Sequence, residues 1–375
     1  MQVDVAVVGA GVVGAATALE LSRRGAEVAL LEGEAEAALG ASGANSGILH
    51  TGFDSVPGEL ETQLILRAAE LRDEVLEILG VPVIRCGALM RPLAAGDEDA
   101  IAGLAADARD NGVDVLLRDD GALEIPGETV TDPVAYTRAL VASAEIHGAR
   151  LQTRFRVEAM ELDGERIELS AASGERVVAR VAVNCAGLGA GRIARLAGDD
   201  SFDVYPRKGE FLVFEPPEGP SLGRILLAVP SETTKGVLVF PTLDGKVVAG
   251  PTAVDQEDPD DWSVRPEARE EIMPKAAAMH PPLASAEPIA AYAGLRPAGR
   301  GVNYLIERSA VCAQLVHAAA IRSTGLTASL GIAERVAHLV GEAGVSLAEP
   351  APLVADRVGV VSGPWWRRTA EHRSR

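Results

Sequence analysis

At 375 residues the chain exceeds what one ordinary hydrophobic core needs, which predicts two domains or one domain with a large insertion. Apolar residues at 47% against 24% charged exclude a disordered chain, and a net charge of −19 argues against nucleic acid as a partner. Such an acidic protein holds an anionic substrate only through a few placed cations. Cys86, Cys185 and Cys312 form no CxxC pair, so neither a disulfide framework nor a metal site is expected. Free thiols suit a reducing, cytoplasmic setting.

Residues 1–9 read as a buried strand rather than a signal peptide, because no basic region precedes them. The run VDVAVVGAG meets a glycine turn as a central parallel strand does. GAATALELSRRG then reads as a helix closed by Gly25, and AEVALLEGE as a second strand. Gly9 permits the tight turn, Gly11 lets the backbone approach a pyrophosphate, and Gly14 allows close helix–strand packing. Val12 and Val13 open the helix whose positive end faces the phosphates. Glu32 ends the second strand, where an acid accepts a ribose hydroxyl and disfavours a 2′-phosphate.

A nicotinamide dehydrogenase normally continues with regular βα units. Here the second strand leads into AEAALGASGANSG, with Gly40, Ala41, Ser42, Asn45, Ser46 and Gly47, where little side-chain bulk intrudes. Such a loop suits close passage along a ribityl chain and an isoalloxazine ring, so FAD is the expected cofactor. It runs on through ILHTGF to a lone imidazole, His50.

Residues 59–80 carry apolar positions at helical spacing with Gly80 as the stop, and a second helix is expected over 97–112. DPVAYTRALVASAEIHG, 132–148, begins with an Asp cap and ends at glycine. ARLQTRFRVEAMEL, RIELSAA and ERVVARVAVNCAG are strand-like. The last opens a second glycine turn, 181–198, expected to close over the same dinucleotide through Ala186 and Gly187. From about 203 to 310, short strands with Gly/Pro/Asp turns predict a mostly antiparallel sheet, interrupted by the helix RPEAREEIMPKAAAMHP. TGLTASLGIAERVAHLVGEAG is the closing helix. The tail SGPWWRRTAEHRSR is expected to be a flexible end, with weak membrane-surface contact through Trp365 and Trp366 as the lesser alternative.

The segments NSGILHTGFDSVPGELE, PRKGEFLVFE, KGVLVFPTLDGKVVAGPTA, YAGLRPAG and AAIRSTGLTAS resemble the glycine-oxidase/D-amino-acid-oxidase group of FAD-dependent oxidoreductases. Within it the chain is most similar to FAD-dependent glycerol-3-phosphate oxidases and dehydrogenases. The resemblance runs from residue 1 to about 343, in the group's order. L-2-hydroxyglutarate oxidoreductases share the NSG–IHxG stretch and much of the remainder.

The resemblance implies an α/β fold of the glutathione-reductase type: a Rossmann-like FAD domain with a mostly antiparallel-sheet substrate domain. The FAD domain is expected from 1–85, 136–200 and 311–345, the substrate domain from 86–135 and 201–310, and a tail over 346–375. It implies that His50 sits by the flavin and takes the substrate hydroxyl proton, a role a near-neutral imidazole suits. Arg296 matches the arginine aimed at the substrate's anionic group; a guanidinium fork suits phosphate or carboxylate. Lys235 matches a second basic residue that faces the site in the phosphate-handling members, and with Arg296 it is expected to form the anion clamp. Arg322 and Ser323 fall near both substrate and flavin, with Ser323 as an orienting hydroxyl. Gly294, Thr324, Gly325, Leu326 and Thr327 fall at the flavin, where the helix opening at Gly325–Ala328 stabilises negative charge on the reduced ring. Val157 falls where adenine is held by backbone. His317 is the rival histidine; His147, His280 and His372 lack comparable context. Arg207 and Lys208 either face the site or only shape a loop.

The expected reaction is oxidation of a small anionic secondary alcohol by hydride transfer to flavin N5, sn-glycerol 3-phosphate to dihydroxyacetone phosphate first among candidates. A 2-hydroxy acid such as L-2-hydroxyglutarate, or a specialised biosynthetic alcohol or amine, is the alternative. A non-catalytic flavin-binding subunit is the rival of another class. Some bacterial relatives add a C-terminal iron–sulfur domain. No such cysteine set is present in the sequence, so electrons are expected to pass directly to oxygen, a quinone or a soluble carrier. The expected location is cytoplasmic, with the inner membrane surface as the peripheral alternative.

Overall fold

The computed structural model describes residues 1–231, 235–355 and 363–373. Its first sheet is built around the strand Gln2–Val8, which pairs in parallel with Val28–Leu31 on one side and Arg176–Asn184 on the other. Alternation divides the central strand's side chains between two cores. Val5 and Val7 pack with helices Val12–Arg23, Pro133–Ile146 and Gly325–Glu342. Ala6 and Val8 pack with Ile167 and Leu169 of the hairpin Val157–Asp163/Arg166–Ala171. The far edge of Arg176–Asn184 is shared: its first half takes Arg166–Ala171 antiparallel, its second half Leu315–Ala319 in parallel. Leu305–Arg308 pairs with Leu315–Ala319, so this strand of the 201–310 segment lies in the first sheet.

The helices start where the sequence places their signals. Asp132 Oδ1 accepts the N–H groups of Val134 and Ala135, capping Pro133–Ile146. The helices Leu60–Ile78 and Asp97–Asp110 fill the other two expected segments.

The second sheet is mostly antiparallel. Its spine is Val204–Phe214, paired along almost its whole length with Ala290–Gly299 and flanked on the other edge by Val247–Gly250 and Val254–Asp255. Ala88–Met90 and Leu123–Ile125 extend it, the former through a parallel pairing with Ile225–Leu227. A three-stranded patch joins Ile48–Leu49 and Val83–Ile84 to the two edges of Thr129–Thr131, with Val130 opposite both Ile48 and Ile84.

The tail corrects the expectation of a flexible, membrane-touching end. Trp365–Arg373 is a helix whose two indoles are buried in the core of the second sheet. Trp365 stands edge-on to Tyr292, which stacks on Phe211, and Trp366 Nε1 donates to the Asp244 carboxylate. Large aromatic rings are costly to leave in water, and the sheet face supplies the burial. These indoles are therefore not available to a membrane surface. Thr369 Oγ1 also donates to the Gly43 carbonyl, tying this helix to the loop 40–47. No described helix is long and apolar enough to cross a membrane.

Candidate active site

A cavity of about 1090 Å³ lies between the two sheets, at the upper end of the size usual for ligand pockets. One end is the first glycine turn. Gly9 has φ +103°, and a Cβ there would lie 2.5 Å from the Cys185 carbonyl oxygen. Gly14 does not reach the cavity; a Cβ on it would sit 1.8 Å from the Gly9 carbonyl oxygen, so its role is packing. Gly11, Val12 and Val13 line the opening, where Ser42 Oγ accepts the Val12 N–H at 2.9 Å. Glu32 Oε2 accepts the Ala10 N–H and Oε1 that of Glu34, both at 2.8 Å. Burial pushes this carboxyl above its ordinary value, against those donors.

Gly40, Ala41, Ser42, Asn45 and Ser46 continue the wall, as do Val157, Ala186 and Gly187. Gly47 lies behind it, with φ +78° and space for no Cβ beside the Thr131 carbonyl. The Val157 carbonyl accepts from Arg192 Nη1 at 2.8 Å. Gly294 faces the loop closely: a Cβ would fall 2.8 Å from the Ala44 carbonyl oxygen.

His50 follows the short strand Ile48–Leu49 and borders the cavity. Its Nδ1 lies 2.9 Å from Glu128 Oε2, and Glu128 is fully buried. Glu128 Oε1 accepts the Thr51 N–H at 2.7 Å and the Thr51 hydroxyl at 3.0 Å. An ionised carboxylate only accepts, so the proton of this contact belongs to Nδ1 and the Nε2 lone pair is left open. The backbone is pinned as well: the His50 N–H donates to Thr327 Oγ1 at 3.1 Å, and Arg72 Nη1 donates to the His50 carbonyl at 2.9 Å. Thr327 thus supports the histidine from outside the cavity wall. Arg72 is buried; desolvation lowers its pKa, while the nearby Glu128 charge works to keep it protonated.

Arg296 comes from Ala290–Gly299, directly across the strand pair from Arg207. Arg207 pairs with Asp255 at 2.8 Å, whereas no carboxylate pairs with Arg296 among the described residues. The Arg296 guanidinium lies over Gly209, where a Cβ would come within 2.4 Å of Nη2, and reaches only carbonyl oxygens, with the Lys208 and Thr252 carbonyls at 3.4 Å. Burial first, then the Arg207 and Arg322 charges, push its pKa down to about 10. It is a protonated cation in want of an anion. Lys208, by contrast, is buried outside the cavity with its ammonium on Asp261 at 2.7 Å.

Lys235 is 45% exposed and borders the cavity, and its Nζ meets Asp54 Oδ2 at 2.7 Å. Burial opposes its charge, yet Asp54 more than offsets this and the pKa is raised. Arg322 and Ser323 are exposed on the cavity wall, followed by Thr324, Gly325 and Leu326 at the start of the closing helix. Thr324 Oγ1 donates to Glu61 at 2.7 Å and meets the Tyr304 hydroxyl at 2.6 Å, which anchors this turn.

The rival histidine is structural. His317 is buried outside the cavity, with Nε2 on Asp199 at 3.1 Å and Nδ1 near Asn184 at 3.3 Å. His147 accepts the Val354 N–H, and His280 is buried at a helix end. His372 sits on the C-terminal helix.

Glu128 and Asp54 were missed by the sequence reading. Glu128 lies in an unremarkable turn, and only strand register brings it to His50. Asp54 was visible, a carboxylate four residues past His50 inside a segment already singled out.

The close backbone packing of the first glycine turn, the helix start that opens onto the cavity and the half-buried Glu32 carboxyl together fit a dinucleotide. The family described as FAD dependent oxidoreductase matches residues 4–339. Glycerol 3-phosphate dehydrogenase of Caloramator mitchellensis is 29% identical, over 88% of this chain and 72% of that protein. Glycerol 3-phosphate oxidase of Mycoplasma pneumoniae is 27% identical, over 90% and 94%. Mitochondrial L-2-hydroxyglutarate dehydrogenase of Arabidopsis thaliana is 28% identical, over 90% and 83%. The solved structure of dithionite-reduced L-alpha-glycerophosphate oxidase from Mycoplasma pneumoniae with FAD bound shares the fold. Its TM-score is 0.89 at 24% identity, covering 96% of this chain and 100% of that one. With the match spanning both sheets and the whole cavity, the chain belongs to the FAD-dependent oxidoreductase family, and its cofactor is FAD.

Proposed function

We propose that this enzyme oxidises the secondary alcohol of a small phosphorylated polyol, with sn-glycerol 3-phosphate going to dihydroxyacetone phosphate. FAD, when bound, accepts the carbinol hydrogen together with its electron pair. His50 Nε2 takes the hydroxyl proton, its ring oriented and its Nδ1 proton held by Glu128. Arg296 grips the anionic arm; buried and paired with no carboxylate among the described residues, it carries most of the clamp, with exposed Arg322 beside it. Ser323 orients the substrate hydroxyl. The observation that carries the reading is the juxtaposition, in one cavity, of a buried carboxylate–imidazole pair and an unneutralised guanidinium. The names of the relatives support the same substrate class. The electrons pass on to oxygen, a quinone or a soluble carrier.

A 2-hydroxy acid is the second reading, since Arg296 serves a carboxylate as well as a phosphate and such dehydrogenases are among the relatives. Anaerobic bleaching of the flavin decides. Glycerol 3-phosphate is expected to bleach it faster than L-2-hydroxyglutarate, glycine or a D-amino acid. Preferential bleaching by the hydroxy acid overturns the proposal in favour of the second reading.

A further inference from the structure

Asp54 has no part in the chemistry described so far, yet it borders the cavity beside the base. Its side chain is one-tenth exposed, with Oδ2 on Lys235 Nζ at 2.7 Å. Oδ1 is buried and has no hydrogen-bond partner. Burial works to neutralise the carboxyl, but Lys235 and then His50 offset it, so the group is an anion at neutral pH. If the pair merely anchored the backbone around Lys235, Oδ2 would be explained and Oδ1 would not. A buried carboxylate oxygen without a donor is costly, and on a residue that borders the cavity it points to a donor brought by a ligand.

A secondary alcohol brings three groups to the base: its hydroxyl, the anion-bearing arm, and a third arm. With the hydroxyl at His50 and the anion at Arg296, Asp54 and Lys235 of the same cavity are available to the third arm. In glycerol 3-phosphate that arm is a hydroxymethyl group, both a donor and an acceptor. In a 2-hydroxy acid it is a carboxylate, which only accepts and carries the same charge as Asp54. We propose that Asp54, with Lys235, forms the subsite for the substrate's neutral hydroxymethyl arm and selects polyol phosphates against 2-hydroxy acids. The hydroxyl donates to Asp54 and accepts from Lys235. Rotation about the Asp54 Cβ–Cγ bond lets the two donors share the carboxylate, a torsion with broad minima.

This inference rests on the function proposed above, and its test keeps the two separable. The FAD-loaded wild type, Asp54→Asn and Asp54→Ala are bleached anaerobically with glycerol 3-phosphate and with 1,2-propanediol 1-phosphate, which lacks only the third-arm hydroxyl. Racemic 3-phosphoglycerate, which carries a carboxylate on that arm, is titrated as a competitor. The wild type is expected to prefer glycerol 3-phosphate over the deoxy analogue by about 10- to 150-fold, the usual worth of a hydrogen bond to a charged group. That preference disappears in Asp54→Ala, while 3-phosphoglycerate competes more tightly against Asp54→Asn than against wild type. Equal rates for the two phosphates in the wild type overturn the subsite, even if the variants fail to hold FAD. A fall by one common factor for both phosphates in the variants, with competition unchanged, overturns it as well and leaves Asp54 a structural residue. Wild-type flavin that glycerol 3-phosphate does not bleach overturns the proposed function itself.

Discussion

His50 and Glu128 stand opposite one another at the next step of the ladder that pairs Ile48 with Val130 and Leu49 with Thr129. Directly opposed residues of an antiparallel pair project to the same face, so this register delivers the carboxylate to the imidazole. The arrangement sets the tautomer without any loop having to close. Glu128→Gln keeps the shape but presents an amide, which is able to donate to Nδ1 and so reverses the tautomer. Flavin reduction by substrate is expected to slow about 100-fold or more, with FAD still bound. In a His50→Asn background the same change is expected to add little, because the two residues act as a unit. Additive losses in the double variant contradict the pairing.

Arg296 and Arg207 are cross-strand neighbours of like charge, and Asp255 neutralises only Arg207. Arg296→Ala is expected to raise the apparent dissociation constant for substrate by about 10- to 150-fold, the worth of a charge-assisted contact, with a smaller effect on the limiting rate of flavin reduction. Stopped-flow titration separates the two.

The C-terminal helix is expected to matter for cofactor retention. Trp365→Ala removes a buried indole from against Tyr292 and is expected to cost about 3–5 kcal/mol of stability. Because Thr369 is bound to the Gly43 carbonyl, FAD affinity should fall with it, measured by flavin fluorescence release. The folded wild type is expected not to float with anionic vesicles.

Asp199 and His317 give the fold an acid-sensitive joint. Burial works against the Asp199 charge, but donors from Ser201, Ser309 and His317 hold its carboxyl well below the usual range. Burial likewise pushes the His317 imidazole down, against the pull of Asp199. A group with a depressed folded pKa stabilises above its unfolded value and loses that contribution as pH falls. The histidine's share is therefore complete above about pH 6.5 and declines below it, and the carboxylate's share declines below about pH 4. The gap in melting temperature between wild type and His317→Gln is expected to narrow from pH 7.5 to pH 5. A gap that widens contradicts this.

Much of the fold was legible because it is local. The Gly9–Gly14 turn, the Asp132 cap and the period-2 runs of the second sheet each declare themselves within a few residues. The glycine turn at one end of the cavity was equally legible, since close backbone approach demands glycine. What was hidden depends on register or on long-range burial. Glu128 meets His50 only through a ladder across 78 positions, and Lys235 meets Asp54 across a still longer stretch of chain. The tail misled because Trp-Trp followed by Arg-Arg is the pattern of an interfacial segment, and only the apolar face at Phe211 and Tyr292 turns the indoles inward.

The central claim is that His50 takes the alcohol proton beside the flavin. Anaerobic stopped-flow bleaching of FAD-loaded His50→Asn with glycerol 3-phosphate tests it most directly. The account predicts flavin reduction slower than wild type by about two to four orders of magnitude, with the FAD spectrum and content unchanged. Bleaching at the wild-type rate in that variant contradicts it.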